Sequence, residues 1–199
     1  MSFSTRLEAA SMTSPLTVVS GLPRSGTSLM MNALAAGGHP TLYDDCRPAD
    51  LHNPKGYYED QRVSSLATDA DWLREHDGQA VKITSHLLAF IPEDLSSKVL
   101  FMRRPLSEIV ASQNAMLGRA ESGDWETLLR RELGRTLAWL QDKPHLKVLE
   151  VSYPELLEKP QQQMERVAAF LERDLDVKAM AAAVDPALYR QRSSGQGQR

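Results

Sequence analysis

The residues with the clearest chemical potential lie in Ser20–Leu34, SGLPRSGTSLMMNAL, directly after a short apolar run. Gly21 and Gly26 bracket four residues, and Thr27 and Ser28 follow. A loop of this pattern between a strand and a helix turns backbone N–H groups inward around an anion, and the helix adds its positive N-terminal end. The spacing matches the G-x-x-x-x-G-K-[ST] phosphate loop except at one place: Thr27 stands where the lysine belongs. The nearest cation, Arg24, sits inside the loop.

Nucleotide phosphoryl transfer on such a loop needs Mg²⁺, usually held by an acidic residue at the end of another strand. The apolar run Lys98–Met102 ends in Arg103-Arg104, and Ala80–Thr84 ends in polar residues. Glu150 lies within its own strand rather than at its end. Metal-assisted ATP chemistry is therefore disfavoured, and no metal site is expected. Sulfuryl transfer explains the missing lysine better. A sulfuryl group carries less negative charge than a phosphoryl group, so fixed donors and a cation can stabilise the leaving phosphate without a metal. Arg24 would put guanidinium donors on that phosphate.

The elements that must position this loop are legible. Leu16–Ser20, Lys98–Met102 and Leu146–Val151 read as buried strands, short and apolar on both faces, and Ala80–Thr84 as a fourth. Helices are expected over Thr27–Ala36, ended by Gly37-Gly38 and Pro40, and over Pro105–Leu117, Trp125–Gln141 and Pro160–Leu171. Strand–helix alternation gives an α/β fold: a P-loop-type parallel β-sheet flanked by α-helices in three layers. Ligands of such sheets sit at the carboxyl ends of the strands, where both candidate motifs lie.

The stretch Pro23–Ser28, PRSGTS, resembles the 5′-phosphosulfate loop of sulfotransferases that use 3′-phosphoadenosine 5′-phosphosulfate (PAPS). That resemblance implies PAPS as sulfuryl donor, with Pro23, Arg24, Ser25, Gly26, Thr27 and Ser28 around its 5′-phosphosulfate. The family's second signature is a strand, an arginine, and a serine eight residues on that grips the 3′-phosphate. VLFMRRPLSEIVAS supplies Arg104 and Ser112. Leu146–Pro160 is similar to the family's late strand and turn, with Tyr153 where a tyrosine lies near the nucleotide. The resemblance covers about residues 16–172 of the chain. It stops short of the basic, glycine-containing segment with which cytosolic members close the nucleotide; Arg190 and Arg192 are the late cations.

Sulfuryl transfer to a hydroxyl or amine wants a general base near the acceptor, and the resemblance offers three. Tyr43–Asp50, YDDCRPAD, is similar to a Glu-Glu-x-Arg segment of tyrosylprotein sulfotransferases, with Asp45 as base and Arg47 as an acceptor contact. Asn53–Asp60, NPKGYYED, is similar to segments of bacterial sulfotransferase-like proteins, with Glu59 as the matching carboxylate. Ile83–Pro92, ITSHLLAFIP, looks like the strand end that carries the catalytic histidine of cytosolic members, with His86 in its place. The choice among Glu59, His86 and Asp45 stays open, as does the direction in which Lys82 points from its strand.

Bulk properties bound the rest. At 199 residues, one domain is expected over 15–190, with a frayed polar start at 1–14 and a disordered Gly/Ser/Gln-rich tail at 191–199. A net charge of −3 gives no bulk attraction to nucleic acid or acidic membrane, so neither is expected as a partner. One cysteine, a poor N-terminal signal and no long apolar run make a cytoplasmic protein the expectation. The expected partner is a small-molecule or peptide acceptor. A homodimer is possible through Trp125–Gln141, which could equally pack as core. Two alternatives remain beside a sulfotransferase: a small-molecule kinase or other nucleotide-binding protein on the same loop, and a degenerate scaffold without turnover.

Overall fold

The computed structural model describes residues 14–44, 47–50, 53, 56–118 and 124–188. Five parallel strands form one sheet in the order β2-β3-β1-β4-β5. They are β1 (Leu16–Gly21), β2 (Thr41–Leu42), β3 (Ala80–Lys82), β4 (Ser97–Arg103) and β5 (Leu146–Ser152). The helices are α1 (Thr27–Ala36), α2 (Leu106–Leu117), α3 (Trp125–Gln141), α4 (Tyr153–Glu158), α5 (Pro160–Leu171) and α6 (Val177–Ala183). The chain is an α/β protein of three layers, as the strand–helix alternation implies.

Period-two alternation sends successive side chains of the central strands to opposite faces. Val19 of β1, with Leu100 and Met102 of β4, packs into a core shared with α1, α4, α5 and α6. Val18, Val99 and Phe101 point the other way, into a second core where α3 contributes Leu133, Leu137 and Leu140. All six residues of β1 are buried, and each large apolar side chain taken out of water there contributes about 1.5–3 kcal/mol. The register places Val18 beside both Val81 and Val99, and Val99 beside Val148. The C-terminal ends of β3, β1 and β4 therefore lie side by side, and the candidate residues cluster there.

Several sequence expectations shift at their edges. The strand expected over Ala80–Thr84 stops at Lys82, because a 3₁₀ segment begins at Ser85 and draws the chain out of the ladder. Helix α2 starts at Leu106 rather than Pro105, which holds the extended N-cap position. The two-residue β2 was not foreseen; it follows Pro40 and is too short to show alternation. The termini expected at 1–14 and 191–199 lie outside the described residues apart from Ser14. Among the described residues, no helix is long and apolar enough to cross a membrane.

Beneath β1, His39 is buried. Its Nδ1 bonds the Pro40 carbonyl at 3.0 Å and its Nε2 the Thr17 hydroxyl at 3.0 Å. A carbonyl only accepts, so Nδ1 carries the proton and the neutral ring's Nε2 accepts from Thr17. Burial lowers the His39 pKa below the usual histidine value.

Candidate functional site

The loop leaves β1 at Gly21 and enters α1 at Thr27. Gly26 takes φ 104°, and Arg24, a non-glycine, takes φ 70°. Left-handed backbone at a non-glycine residue costs on the order of 1–3 kcal/mol and persists only where the surroundings impose it. Here they do. The Ser25 N–H donates to the Leu22 carbonyl at 3.1 Å, and Arg104 donates to the Arg24 carbonyl at 3.1 Å. At Gly26, a Cβ would stand 2.4 Å from Cδ2 of Tyr153, so packing as well as φ requires glycine. The result is a tight turn that leads into α1, whose N-terminus has no side-chain cap among the described residues.

Inside this turn the Ser25 hydroxyl is fully buried and, among the described residues, has no hydrogen-bond partner. Leaving a buried hydroxyl unpaired costs about 1–3 kcal/mol. A bound anion would satisfy it, so the donor set suits a phosphate or sulfate oxygen. Pro23 is exposed at the tip, and Thr27 and Ser28 are half-buried in the first helical turn.

The cation missing from the loop arrives from the neighbouring strand. Lys82, the last residue of β3, is 7% exposed, and its amine lies 3.4 Å from the Ser28 hydroxyl. The same amine donates to the Tyr57 carbonyl and to Glu59 Oε1 at 3.0 Å. Burial lowers its pKa from the ordinary lysine value, against the opposing pull of Glu59. Ser28 in turn donates to the Tyr57 carbonyl at 3.1 Å. Strand direction, which the sequence left open, thus turns Lys82 onto the loop.

Glu59 is the base candidate that the structure brings to this point. Its carboxylate is 40% exposed, bound by Lys82 on one side and by Arg47 at 3.4 Å on the other. The Arg47 guanidinium lies 3.4 Å above the Tyr57 ring, whose hydroxyl donates to Asp50 at 2.7 Å. Tyr43 and Tyr58 stack edge to face beside it, with centroids 5.0 Å apart. His86 is exposed in the 3₁₀ segment after β3 and, among the described residues, has no hydrogen bond to the loop. Asp45 lies outside the described residues.

On the other side of the loop, Arg104 and Ser112 do come together with it, through Arg24. The Arg24 Nε–H donates to the Ser112 hydroxyl at 3.0 Å. Arg104 is buried, paired with Glu108 at 3.0 Å, and its guanidinium lies 4.7 Å over the Tyr153 ring. That ring is the one packed on Gly26. Arg104 and Tyr153 therefore clamp both left-handed residues of the loop, and the buried Glu108 holds Arg104. Glu108 escaped the sequence reading; its only signal was its place four residues after Arg104.

No family model and no curated protein matches the sequence. Solved structures do. The sulfotransferase domain of the olefin synthase from Synechococcus PCC 7002 superposes with a TM-score of 0.55 at 17% identity, over 93% of this chain and 90% of that one. The sulfotransferase domain from the curacin biosynthetic pathway gives 0.55 at 13% identity, over 91% and 92%. The chain shares the fold of these sulfotransferase domains.

Proposed function

We propose that this chain is a sulfotransferase that moves a sulfuryl group from PAPS to a hydroxyl or amine acceptor without a metal ion. The observation that carries the proposal is Lys82: a buried amine set on Ser28 of the anion loop and, at the same time, on the solvent-facing carboxylate of Glu59. One cluster thereby holds an anion cradle, a cation and a base.

PAPS, when bound, supplies the activated sulfuryl group. Its 5′-phosphosulfate suits the loop N–H groups, the hydroxyls of Ser25, Thr27 and Ser28, the Arg24 guanidinium and Lys82. Arg104 and Ser112 are the proposed grip on the 3′-phosphate, next to Arg24, and Tyr153 lies beside them. Glu59 takes the proton of the acceptor hydroxyl or amine as the acceptor's bond to sulfur forms. The loop donors and Lys82 take up the charge that returns to the 5′-phosphate as its bond to sulfur breaks. Arg47 and the tyrosines line the acceptor side. Glu59 is preferred to His86 as the base because Lys82 ties its carboxylate to Ser28 of the loop, and Asp45 stays the alternative.

The test is calorimetric titration with 3′-phosphoadenosine 5′-phosphate, AMP and Mg-ATP in parallel. Metal-independent preference for the bisphosphate is expected. Arg104→Ala should weaken the bisphosphate more than AMP, by a difference of about 1.5–3 kcal/mol for a lost charge-assisted contact. Preference for Mg-ATP would replace this reading with a kinase, and silence for all three ligands would leave a scaffold without turnover.

A further inference from the structure

Beyond the C-terminal ends of β4 and β5, away from Lys82 and Glu59, a groove of about 520 Å³ opens between the start of α2 and the middle of α3. Its volume lies within the range of small-molecule sites, about 300–1,000 Å³. Arg103, Arg104 and Arg130 line it, and Leu133 and Leu137 supply apolar wall. Arg103 is paired with Glu150 and Arg130 with Glu126 at 2.7 Å, whereas Arg104 is engaged by Glu108, the Arg24 carbonyl and the face of Tyr153. A guanidinium carries five N–H donors in a fork, so pairing with one carboxylate does not exhaust it.

A second observation concerns Gly134, which also lines the groove. It sits in the interior of α3, where glycine is among the least favourable residues. Nothing among the described residues demands it. Its backbone is helical, and a Cβ built there would meet no atom of the described residues within 4 Å. At Gly26 and Gly37 the same construction collides with Tyr153 and Met180 at 2.4 Å. Gly134 lines the groove, so a side chain added there would start from the groove wall. The helix gives up stability at this one position, and the groove keeps its depth.

We propose that this groove is a second ligand site, separate from the anion loop, for a carboxylate or sulfonate carried on an apolar body. Arg103 and Arg130 take the anionic head, and the Leu133–Leu137 face of α3 takes the body over Gly134. The inference stands on the groove alone and does not depend on the reaction proposed for the loop.

The experiment is calorimetric titration of the full chain with 2-naphthalenesulfonate. Wild type should bind. Gly134→Leu fills the groove with a better helix former, and Arg130→Gln removes one charge-assisted contact. Each should weaken binding roughly tenfold or more, the scale of about 1.4 kcal/mol, while neither lowers the melting temperature. Saturating 3′-phosphoadenosine 5′-phosphate should leave the naphthalenesulfonate affinity unchanged. Absence of binding to wild type, full affinity in Gly134→Leu, or displacement by the bisphosphate would each overturn the proposal. Displacement would make the groove part of the loop's own site. Failure of the bisphosphate to bind at all would count against the proposed function and leave this one standing.

Discussion

Removing Glu108 tests the clamp on the loop. The Glu108 and Arg104 side chains are 2% and 7% exposed. Breaking a buried ion pair from one side leaves an uncompensated charge and typically costs about 3–5 kcal/mol. Arg104 keeps the Arg24 carbonyl and the face of Tyr153, so Glu108→Ala should fall near the lower end, about 3 kcal/mol. Against a total stability on the order of 5–15 kcal/mol, the variant still folds. With a urea slope of about 2 kcal/mol/M, the midpoint should drop by roughly 1.5 M. Replacing both partners, Arg104→Met with Glu108→Leu, should cost less than Glu108→Ala, because no charge is stranded. The clamp adds a local readout: amide exchange across residues 21–28 should quicken in Glu108→Ala under native conditions, while β4 and α5 keep their protection. A midpoint within error of wild type, with unchanged exchange in the loop, would refute the reasoning. A double variant as damaged as the single would show that shape, not charge, is what Glu108 supplies.

One substitution should act with opposite signs at two glycines. Gly26→Ala forces a left-handed φ and a clash with Tyr153, so it should destabilise by more than about 1 kcal/mol; Gly134→Ala should stabilise by about 0.5–1 kcal/mol. Thermal melts of the two variants check both signs. His39 makes stability pH-dependent. Its folded pKa lies below the usual value, so between the folded value and about 6.5 the unfolded chain binds more protons. Its contribution is intact above pH about 6.5 and declines as pH falls from there toward the folded pKa. His39→Gln should flatten that part of the curve of urea midpoint against pH; an unchanged slope would remove the assignment.

The sheet was legible because its centre is uniform. Residues of β1 and β4 are apolar on both faces, a pattern that suits only strands buried between two layers. The loop was legible because its turn needs positive φ at Gly21 and Gly26, a local demand that glycine meets without strain. What escaped depends on tertiary direction. Strand β3 has only three residues, so alternation could not fix which way Lys82 points; its pairing with β1 does. Glu59 reaches the loop from a segment without regular structure, held by the backbone bond of Asp44 to the Glu59 carbonyl at 2.8 Å. No periodicity announces such a contact. Glu108 reads in sequence as an ordinary acidic residue in a first helical turn, and only the burial of Arg104 gives it a task.

The missing lysine of the loop is the point where sequence and geometry meet. A lysine at the position of Thr27 would rise from α1. Lys82 comes instead from β3, and its route matters. From that side the amine contacts Ser28 and Glu59 together, so a cation on the loop and a carboxylate open to solvent are coupled through one side chain. On the β4 side, Arg104 is held by Glu108 and spends a donor on the loop backbone. The loop is thus shaped from one flank and charged from the other. An amine desolvated by burial titrates below ordinary lysine, so under the proposed function the rate should fall on the alkaline side earlier than an exposed lysine would dictate. Lys82→Arg, which stays charged, should move that alkaline limb to higher pH, whatever it does to the maximal rate. An alkaline limb that stays in place would mean that a different group sets it and that Lys82 holds the loop only as structure.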